Sequence, residues 1–172
     1  MGREMIFEVR KNNQPIWPDP NNIDAALYVC GRDDATTFLA SYVNNCVDDD
    51  SDDDETPTLL LRARDEKLTY IKERLKEYKE KDYAEIQKAK DTLEDLRAAR
   101  RNSATMKDFA DFSDAMAETE QWLAAEDWSR AGSMLEYLEA CESQMLSYIN
   151  ADEDPDREKV LDTYKVAIIW SE

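Results

Sequence analysis

The chain has 172 residues, a formal net charge of −18, and only three glycines and five prolines. Its length allows one domain with a real core, and its four Trp, eight Tyr and four Phe residues exclude wholesale disorder. The scarcity of glycine and proline favours long helices over a turn-rich β-sandwich. The negative charge disfavours direct binding to nucleic acid or anionic membranes and favours basic protein partners.

The sequence contains no recognisable membrane or export signal. No apolar run approaches the roughly 20 residues of a membrane span, and the N-terminal MGREMIFEVR lacks a signal-peptide core. Cys30, Cys46 and Cys141 are far apart and odd in number, which favours buried free thiols in a reducing compartment. We therefore expect a cytoplasmic protein, and one interpretation is a phage-encoded protein acting in a bacterial host.

The first 46 residues are predicted to form a small β/α unit. Residues 5–10 (MIFEVR) predict a β-strand that ends at a Lys-Asn-Asn turn, and residues 23–30 (IDAALYVC) predict a second strand. Asp33 or Asp34 can cap a following helix. The apolar face of that helix is predicted to comprise Phe38, Leu39, Tyr42, Val43 and Cys46.

Residues 47–57 (VDDDSDDDETP) hold six aspartates and one glutamate within eight positions, with no cation. An EF-hand calcium loop needs alternating oxygen ligands and a central glycine. This run has consecutive acids and no glycine, so we predict an acidic linker that its like charges extend, rather than a metal site.

Residues 58–150 are predicted to form a helical bundle. Thr56-Pro57 suits an N-cap followed by proline at the first helical position, so a long helix is predicted from about residue 58 to residue 101. Its apolar residues step by three and four: Leu68, Ile71, Leu75 and Tyr78, then Ile86, Ala89, Leu93 and Leu96. Two shorter helices are expected to pack on it, with apolar positions at Phe109, Phe112, Met116 and Leu123, and at Ala131, Leu135, Leu138, Met145 and Ile149.

Residues 151–172 are predicted to return the chain to the N-terminal unit. Residues 164–170 (YKVAIIW) are too apolar for a loose tail, and we expect them to pair with the first strand. The predicted fold is α+β and helix-dominated. It consists of an antiparallel helical bundle or hairpin built on one long helix, with a small β unit formed by N- and C-terminal strands.

The charge is unevenly distributed along the chain. Residues 33–55 carry nine acids and no base, residues 56–101 have a net charge of +3, and residues 102–172 have a net charge of −12. Acids recur at steps of three and four on the two shorter predicted helices, which places them roughly 4.5–6 Å apart along each axis. These candidate partner-binding residues are Asp108, Asp111, Asp114, Glu118, Glu136, Glu139 and Glu142. Their spacing loosely matches that of nucleic-acid phosphates, whereas the plainer interpretation is two ordinary solvent-exposed helix faces.

The residue types give little support to catalysis. The chain has no histidine, which excludes His-based triads and His zinc sites, and its three glycines are too isolated for a phosphate-binding loop. The cysteines show no metal-ligand spacing. We therefore predict no catalytic residues, no cofactor and no metal site; an enzyme using carboxylates and a divalent metal is the least favoured hypothesis.

The leading hypothesis is a non-enzymatic DNA mimic that inhibits a basic nucleic-acid-binding protein or nuclease. Its composition is similar to that of phage and mobile-element proteins that block restriction or CRISPR nucleases, although no family motif is present. The alternative is a structural or assembly protein, such as a phage scaffold or chaperone, that forms a homodimer through the long helix.

Overall fold

The computed structural model describes residues 4–21, 27–30, 33–46, 56–124 and 130–171. Two compact units are present: unit 1 contains residues 1–78 and 130–172, and unit 2 contains residues 79–129. The predicted acidic linker lies almost wholly outside the described residues, as does the first half of the strand predicted at residues 23–30. The four-part division expected from the sequence stays a prediction.

The described part of the chain contains short strands and helices of very different lengths. The strands are β1 (Glu4–Lys11), β2 (Gln14–Trp17), β3 (Leu27–Cys30), β4 (Thr58–Leu61) and β5 (Tyr164–Ser171). The helices are α1 (Asp34–Cys46), α2 (Glu66–Arg101), α3 (Met106–Ala124), α4 (Ala131–Ala151) and α5 (Arg157–Thr163). The helix-dominated α+β class is confirmed, with one long helix and a sheet that joins strands from both ends of the sequence.

The sheet is antiparallel, and β1 and β5 form its centre. They pair along their whole length, from Glu4 opposite Ser171 to Lys11 opposite Tyr164, which confirms the predicted return of the C-terminal segment. Strand β4 pairs with the other edge of β5, while β2 and β3 pair with successive parts of the other edge of β1. Five strands thus make a sheet only four strands wide.

The turn between β1 and β2 has the geometry that a tight hairpin requires. Asn12 and Asn13 both have positive φ, 50° and 65°. Two consecutive left-handed residues match the twist of the flanking strands, and asparagine tolerates this conformation better than most residues. The predicted Lys-Asn-Asn turn is confirmed.

One face of the sheet forms the core of unit 1. Met5, Phe7 and Val9 alternate with less buried residues along β1, and α1 and α4 pack on the sheet. Within this core lie the predicted apolar positions of α4, together with the first apolar residues of α2: Ala131, Leu135, Leu138, Met145, Ile149, Leu68, Ile71 and Leu75. Helix α1 begins as predicted, because the Asp33 carboxylate accepts hydrogen bonds from the Thr36 backbone N–H (3.0 Å) and hydroxyl (3.1 Å).

The long helix begins later than the sequence predicted. Residues 58–61 form strand β4, because their backbone pairs with β5 and places Leu59 and Leu61 in the core. Arg64, with φ of 64°, then turns the chain, and the Asp65 side chain accepts a hydrogen bond from the Lys67 backbone N–H. Asp65, rather than Thr56, therefore caps a helix of 36 residues, which is about 54 Å long.

Unit 2 is an antiparallel helical hairpin made by residues 79–101 of α2 and by α3. The Arg100 guanidinium lies 5.4 Å from the ring centroid of Phe109, near the start of α3. Further along α3, the Arg97 guanidinium lies 3.9 Å from the Glu120 carboxylate. Among the described residues of this unit, only Leu93 and Met116 are buried, so the hairpin has a thin core.

Candidate functional site

Four of the predicted partner-binding acids lie on α3, whose start is fixed by a local cap. The Thr105 hydroxyl accepts a hydrogen bond from the Asp108 backbone N–H (3.1 Å), which satisfies one of the free donors at the helix end. Asp108 is in the first turn, where the partial positive charge of the helix N-terminus favours a carboxylate. The Thr105 cap and the negative charge of Asp108 therefore both favour the start of α3 at this position.

These four acids form a continuous acidic row on α3: Asp108, Asp111, Asp114 and Glu118. At about 100° per residue they lie within an arc of about 120°, and all four side chains are exposed. None of them forms an ion pair within the described part of the chain. Their negative charges are therefore available to solvent or to a partner, and the helix fixes their spacing.

The row lies beside the side of α3 that packs on α2, and not within it. Met116 is 5% exposed, and Phe112 is half-buried on the same side. Phe109, which the sequence placed on this apolar face, is 47% exposed, and the Arg100 guanidinium lies over its ring. Replacing acids of the row therefore leaves the packed side of the hairpin unchanged.

The three acids predicted on α4 differ from one another. Glu136 and Glu139 are exposed, but Glu142 lies at the edge of the unit 1 core, with only 25% of its side chain exposed. There its carboxylate accepts a hydrogen bond from the Lys72 ammonium at 2.8 Å. Glu142 therefore already has an internal counterion, and only the first two acids present unpaired charge.

The structure thus assembles two separate groups of acids. The α3 row belongs to unit 2, and the three α4 acids belong to unit 1. Each group occupies one helix face, as the three- and four-residue spacing predicted. The joint seven-residue ridge stays a prediction.

Sequence reasoning missed a groove within the hairpin. It has a volume of about 390 Å³, and α2 and α3 both contribute to its lining. Its lining residues are Glu85, Lys88, Ala89, Thr92, Glu118, Thr119 and Trp122. Trp122 is 40% exposed, and Glu118 belongs both to this groove and to the acidic row. The available signal was a tryptophan outside the apolar stepping of α3.

The strongest perturbations of pKa lie elsewhere, in unit 1. Burial, helped by the Cys46 side chain, raises the pKa of Tyr42 to about 12, and burial likewise raises that of Cys141 to about 12. The Asp152 carboxylate accepts hydrogen bonds from the Asp154 backbone N–H and the Tyr164 hydroxyl, which hold its pKa below the usual range. These shifts arise from packing and from a local turn and are remote in sequence from the acidic row.

Other kinds of site find no support in the described ranges. Within residues 4–21, 27–30, 33–46, 56–124 and 130–171, no group of three or more acids or cysteines is arranged to hold a metal ion. Nor does any helix in these ranges combine the length and apolarity needed to cross a membrane. The acidic row and the adjoining groove are therefore the features from which we infer function.

Comparisons with known proteins provide no relative from which a function can be transferred. No family model, curated protein or solved structure gave a significant match to the chain. The functional inference consequently depends on charge, exposure and side-chain chemistry.

Proposed function

We propose that this chain is a non-enzymatic acidic binding protein that occupies the nucleic-acid groove of a basic protein in the manner of a DNA mimic. The target class would be a nucleic-acid-binding protein or nuclease, as for phage or mobile-element inhibitors of restriction or CRISPR systems. The observation that supports the proposal is the acidic row on α3, with four exposed carboxylates free of ion pairs in the described structure.

The physical basis is the combination of charge and fixed spacing. The α3 sequence has five acids and one base, Lys107. A groove that binds phosphates presents lysine and arginine at comparable intervals, so it can make the same charge-assisted contacts to carboxylates. Such an interaction gains most in association rate, because long-range attraction guides the encounter.

The test begins with capture of a partner from a bacterial lysate on the immobilised parent chain. A triple variant, Asp111→Lys, Asp114→Lys and Glu118→Lys, should lose that partner while keeping its helical circular dichroism. The matched control reverses three exposed acids of α2, Glu73, Glu80 and Glu94, which changes the net charge equally outside the row. We expect affinity to fall more than about tenfold for the row variant and much less for the control.

With the purified partner, association should slow as salt rises, because exposed charges are screened. Duplex DNA should compete with the chain for the partner. Equal loss of affinity in the two triple variants would show that only total charge matters. Affinity indifferent to salt, or binding unaffected by DNA, would refute mimicry.

A second candidate function, assembly through self-association, is favoured by exposed apolar side chains on the hairpin. Tyr83 is 70% exposed and Met106 is 86% exposed, and both are large enough to contribute to an interface between copies. Size-exclusion chromatography with light scattering distinguishes the two functions. A stable homodimer that dissociates on Tyr83→Ser and Met106→Ser substitution would support assembly over inhibition.

A further inference from the structure

A small cavity lies at one end of the sheet of unit 1, beside the β1–β2 hairpin. Its volume is about 170 Å³, and its lining comes from the ends of β1, β4 and α5, from the hairpin turn and from the start of β5. We infer that this cavity binds a phosphate group. The inference is independent of the proposed function, because the described lining residues all belong to unit 1, whereas the acidic row belongs to unit 2.

The register of the sheet brings two cations together in this cavity. Arg10 on β1 lies directly opposite Lys165 on β5, and side chains at opposed positions of antiparallel strands lie on the same face of the sheet. Both side chains are partly buried, and both line the cavity. Like charges at opposed positions destabilise a sheet, so an anion bound beside them relieves their repulsion.

Lys165 supplies the charge that the neighbouring acids do not neutralise. The Arg10 guanidinium donates a hydrogen bond to the Glu8 carboxylate at 3.1 Å, so this cation has a counterion. Asp162 is the one acid among the described lining residues, and it already pairs with Arg62 at 2.9 Å. The Lys165 ammonium forms no ion pair within the described part of the chain. The cavity is therefore locally positive in a chain whose net charge is −18.

The hairpin turn adds neutral hydrogen-bond donors to the two cations. Asn12 and Asn13 both line the cavity, and the Asn12 backbone N–H donates to the Thr163 carbonyl at 2.9 Å, which holds the turn against the end of α5. The guanidinium of Arg10 contains only donors, so the Asn13 atom that accepts its hydrogen bond at 2.9 Å is the carbonyl oxygen. The amide NH₂ group of Asn13 therefore stays available, as does the Asn12 side chain, which has no hydrogen bond in the described structure.

These donors suit a phosphate group better than a carboxylate. Ammonium, guanidinium and amide N–H groups reach the cavity from two strands and a turn, and the several oxygens of a tetrahedral phosphate can accept from all of them. A carboxylate has only two oxygens in one plane and leaves some of these donors without an acceptor. The ammonium of Lys165 is a compact point charge, which is the form in which lysine binds phosphates.

The experiment measures the binding of inorganic phosphate to the full chain, by isothermal titration calorimetry and by thermal unfolding. Sodium chloride holds the ionic strength at about 0.15 M, where charges more than about 8 Å away are largely screened. The melting temperature of the parent should rise with phosphate concentration, because a ligand that binds only the folded state stabilises it. Sodium acetate under the same conditions should bind about tenfold more weakly.

Variants of the lining test both signs of the charge effect. Lys165→Gln keeps the length of the side chain but removes its charge, and it should weaken phosphate binding about tenfold. The matched control, Lys76→Gln, removes the same charge from an exposed α2 lysine without an ion pair in the described structure, and it should leave the affinity unchanged. Asp162→Asn removes the acid of the lining and should strengthen binding. Asn12→Gly retains the positive φ and removes one donor, so a smaller loss is expected.

Thermal unfolding without phosphate separates a binding defect from a folding defect. In phosphate-free buffer Lys165→Gln should be at least as stable as the parent, because the like charge opposite Arg10 is gone. In phosphate the parent should become the more stable of the two. This reversal is not expected from a variant that merely damages the sheet.

The possible results divide clearly. A saturable phosphate response that is lost in Lys165→Gln, kept in Lys76→Gln and increased in Asp162→Asn would establish the site. A response that does not saturate, or that is the same in the parent and Lys165→Gln, would identify a general salt effect and overturn the inference. Acetate binding as tight as phosphate binding would also overturn it. The acidic row is tested separately, by binding to a protein partner.

Discussion

The two parts of α2 allow a direct comparison of a thick and a thin core on one helix. Leu75 is fully buried among the residues of the unit 1 core, whereas Leu93 is 8% exposed in a hairpin whose other buried residue, among those described, is Met116. Truncating each leucine to alanine removes the same three carbons. Any difference between the two losses of unfolding free energy therefore reflects the packing around each leucine.

The cost can be calculated from transfer and cavity contributions. Removing three buried carbons at about 0.8 kcal/mol each costs about 2.4 kcal/mol. Around Leu75 the core cannot close fully, which adds about 1–2 kcal/mol for the cavity, so we expect about 3.4–4.4 kcal/mol. Around Leu93 the two helices can move together or admit water. There we expect about 2 kcal/mol or slightly less.

Urea denaturation followed by circular dichroism measures the free energy of unfolding. Hydrogen exchange with mass spectrometry then assigns the loss to peptides from each unit. Leu75→Ala should weaken protection throughout the sheet strands, and Leu93→Ala should weaken it in α3. A cost for Leu93→Ala equal to or above that for Leu75→Ala would refute the thin-core reasoning. A cost below about 0.5 kcal/mol would show that Leu93 faces solvent or a partner.

Three further outcomes are expected. A double-mutant cycle on Lys72→Gln and Glu142→Gln should give a coupling of about 0.5–1 kcal/mol at neutral pH, and zero coupling would mean that the 2.8 Å contact is not maintained in solution. Cys141, whose pKa is raised from 9.0 to about 12, should resist alkylation by iodoacetamide in the native state. Its contribution to the free energy of unfolding should be complete below pH 9 and lost as the pH rises towards 12. Fast alkylation of this cysteine in the native protein, located by peptide mapping, would contradict the prediction. The depressed pKa of Asp152 stabilises the fold at pH values above the pKa of the unfolded state, and this stabilisation is lost as the pH falls through the pKa of the folded state. Tyr164→Phe, which removes one hydrogen bond to this carboxylate, should therefore reduce the stability that is lost in acid. An unchanged dependence of stability on pH, measured by urea titration, would refute this prediction.

Local signals predicted the central strands β1 and β5 well, because both segments are rich in β-prone apolar residues and β1 ends at a recognisable turn. The β-prone residues 5–10 predicted strand β1 and its end at the Asn12-Asn13 turn, and the apolar C-terminal segment had one evident partner. Helix α1 was equally accessible, since Asp33 is an N-cap directly before an amphipathic run. In these elements local preference and tertiary packing agree.

Elsewhere tertiary pairing overruled local preference. Thr56-Pro57 resembles a helix start, but strand β5 offered residues 58–61 an unpaired edge, and the backbone formed a strand there. Strand β2 was not predicted; it contains Pro15, and proline is tolerated on an edge strand such as this one. Helix α5 has only seven residues, too few for a clear period.

The spacing of the acids predicted the acidic row, but it did not predict which of the candidate carboxylates would lack an ion pair. Nothing in the sequence distinguished Glu142 from Glu136 or Glu139, since the ion pair with Lys72 joins residues 70 positions apart. The groove at Trp122 was also inaccessible, because it depends on which residues of α2 lie opposite α3. The Glu142 ion pair and the groove both depend on contacts between residues far apart in the sequence, which periodicity does not reveal.

The pairing of β1 with β5 has a consequence for biosynthesis. Register partners such as Phe7 and Ile168 are separated by almost the whole chain, so the sheet of unit 1 cannot close until β5 has left the ribosome. The hairpin formed by residues 79–101 of α2 and by α3 has its pairing partners nearby in sequence and can form while translation continues. The acidic row would then exist before the sheet does, on a nascent chain whose apolar strand β1 still lacks its partner. Ribosome-bound chains arrested before residue 164 should therefore show protected α3 amides but an unprotected β1.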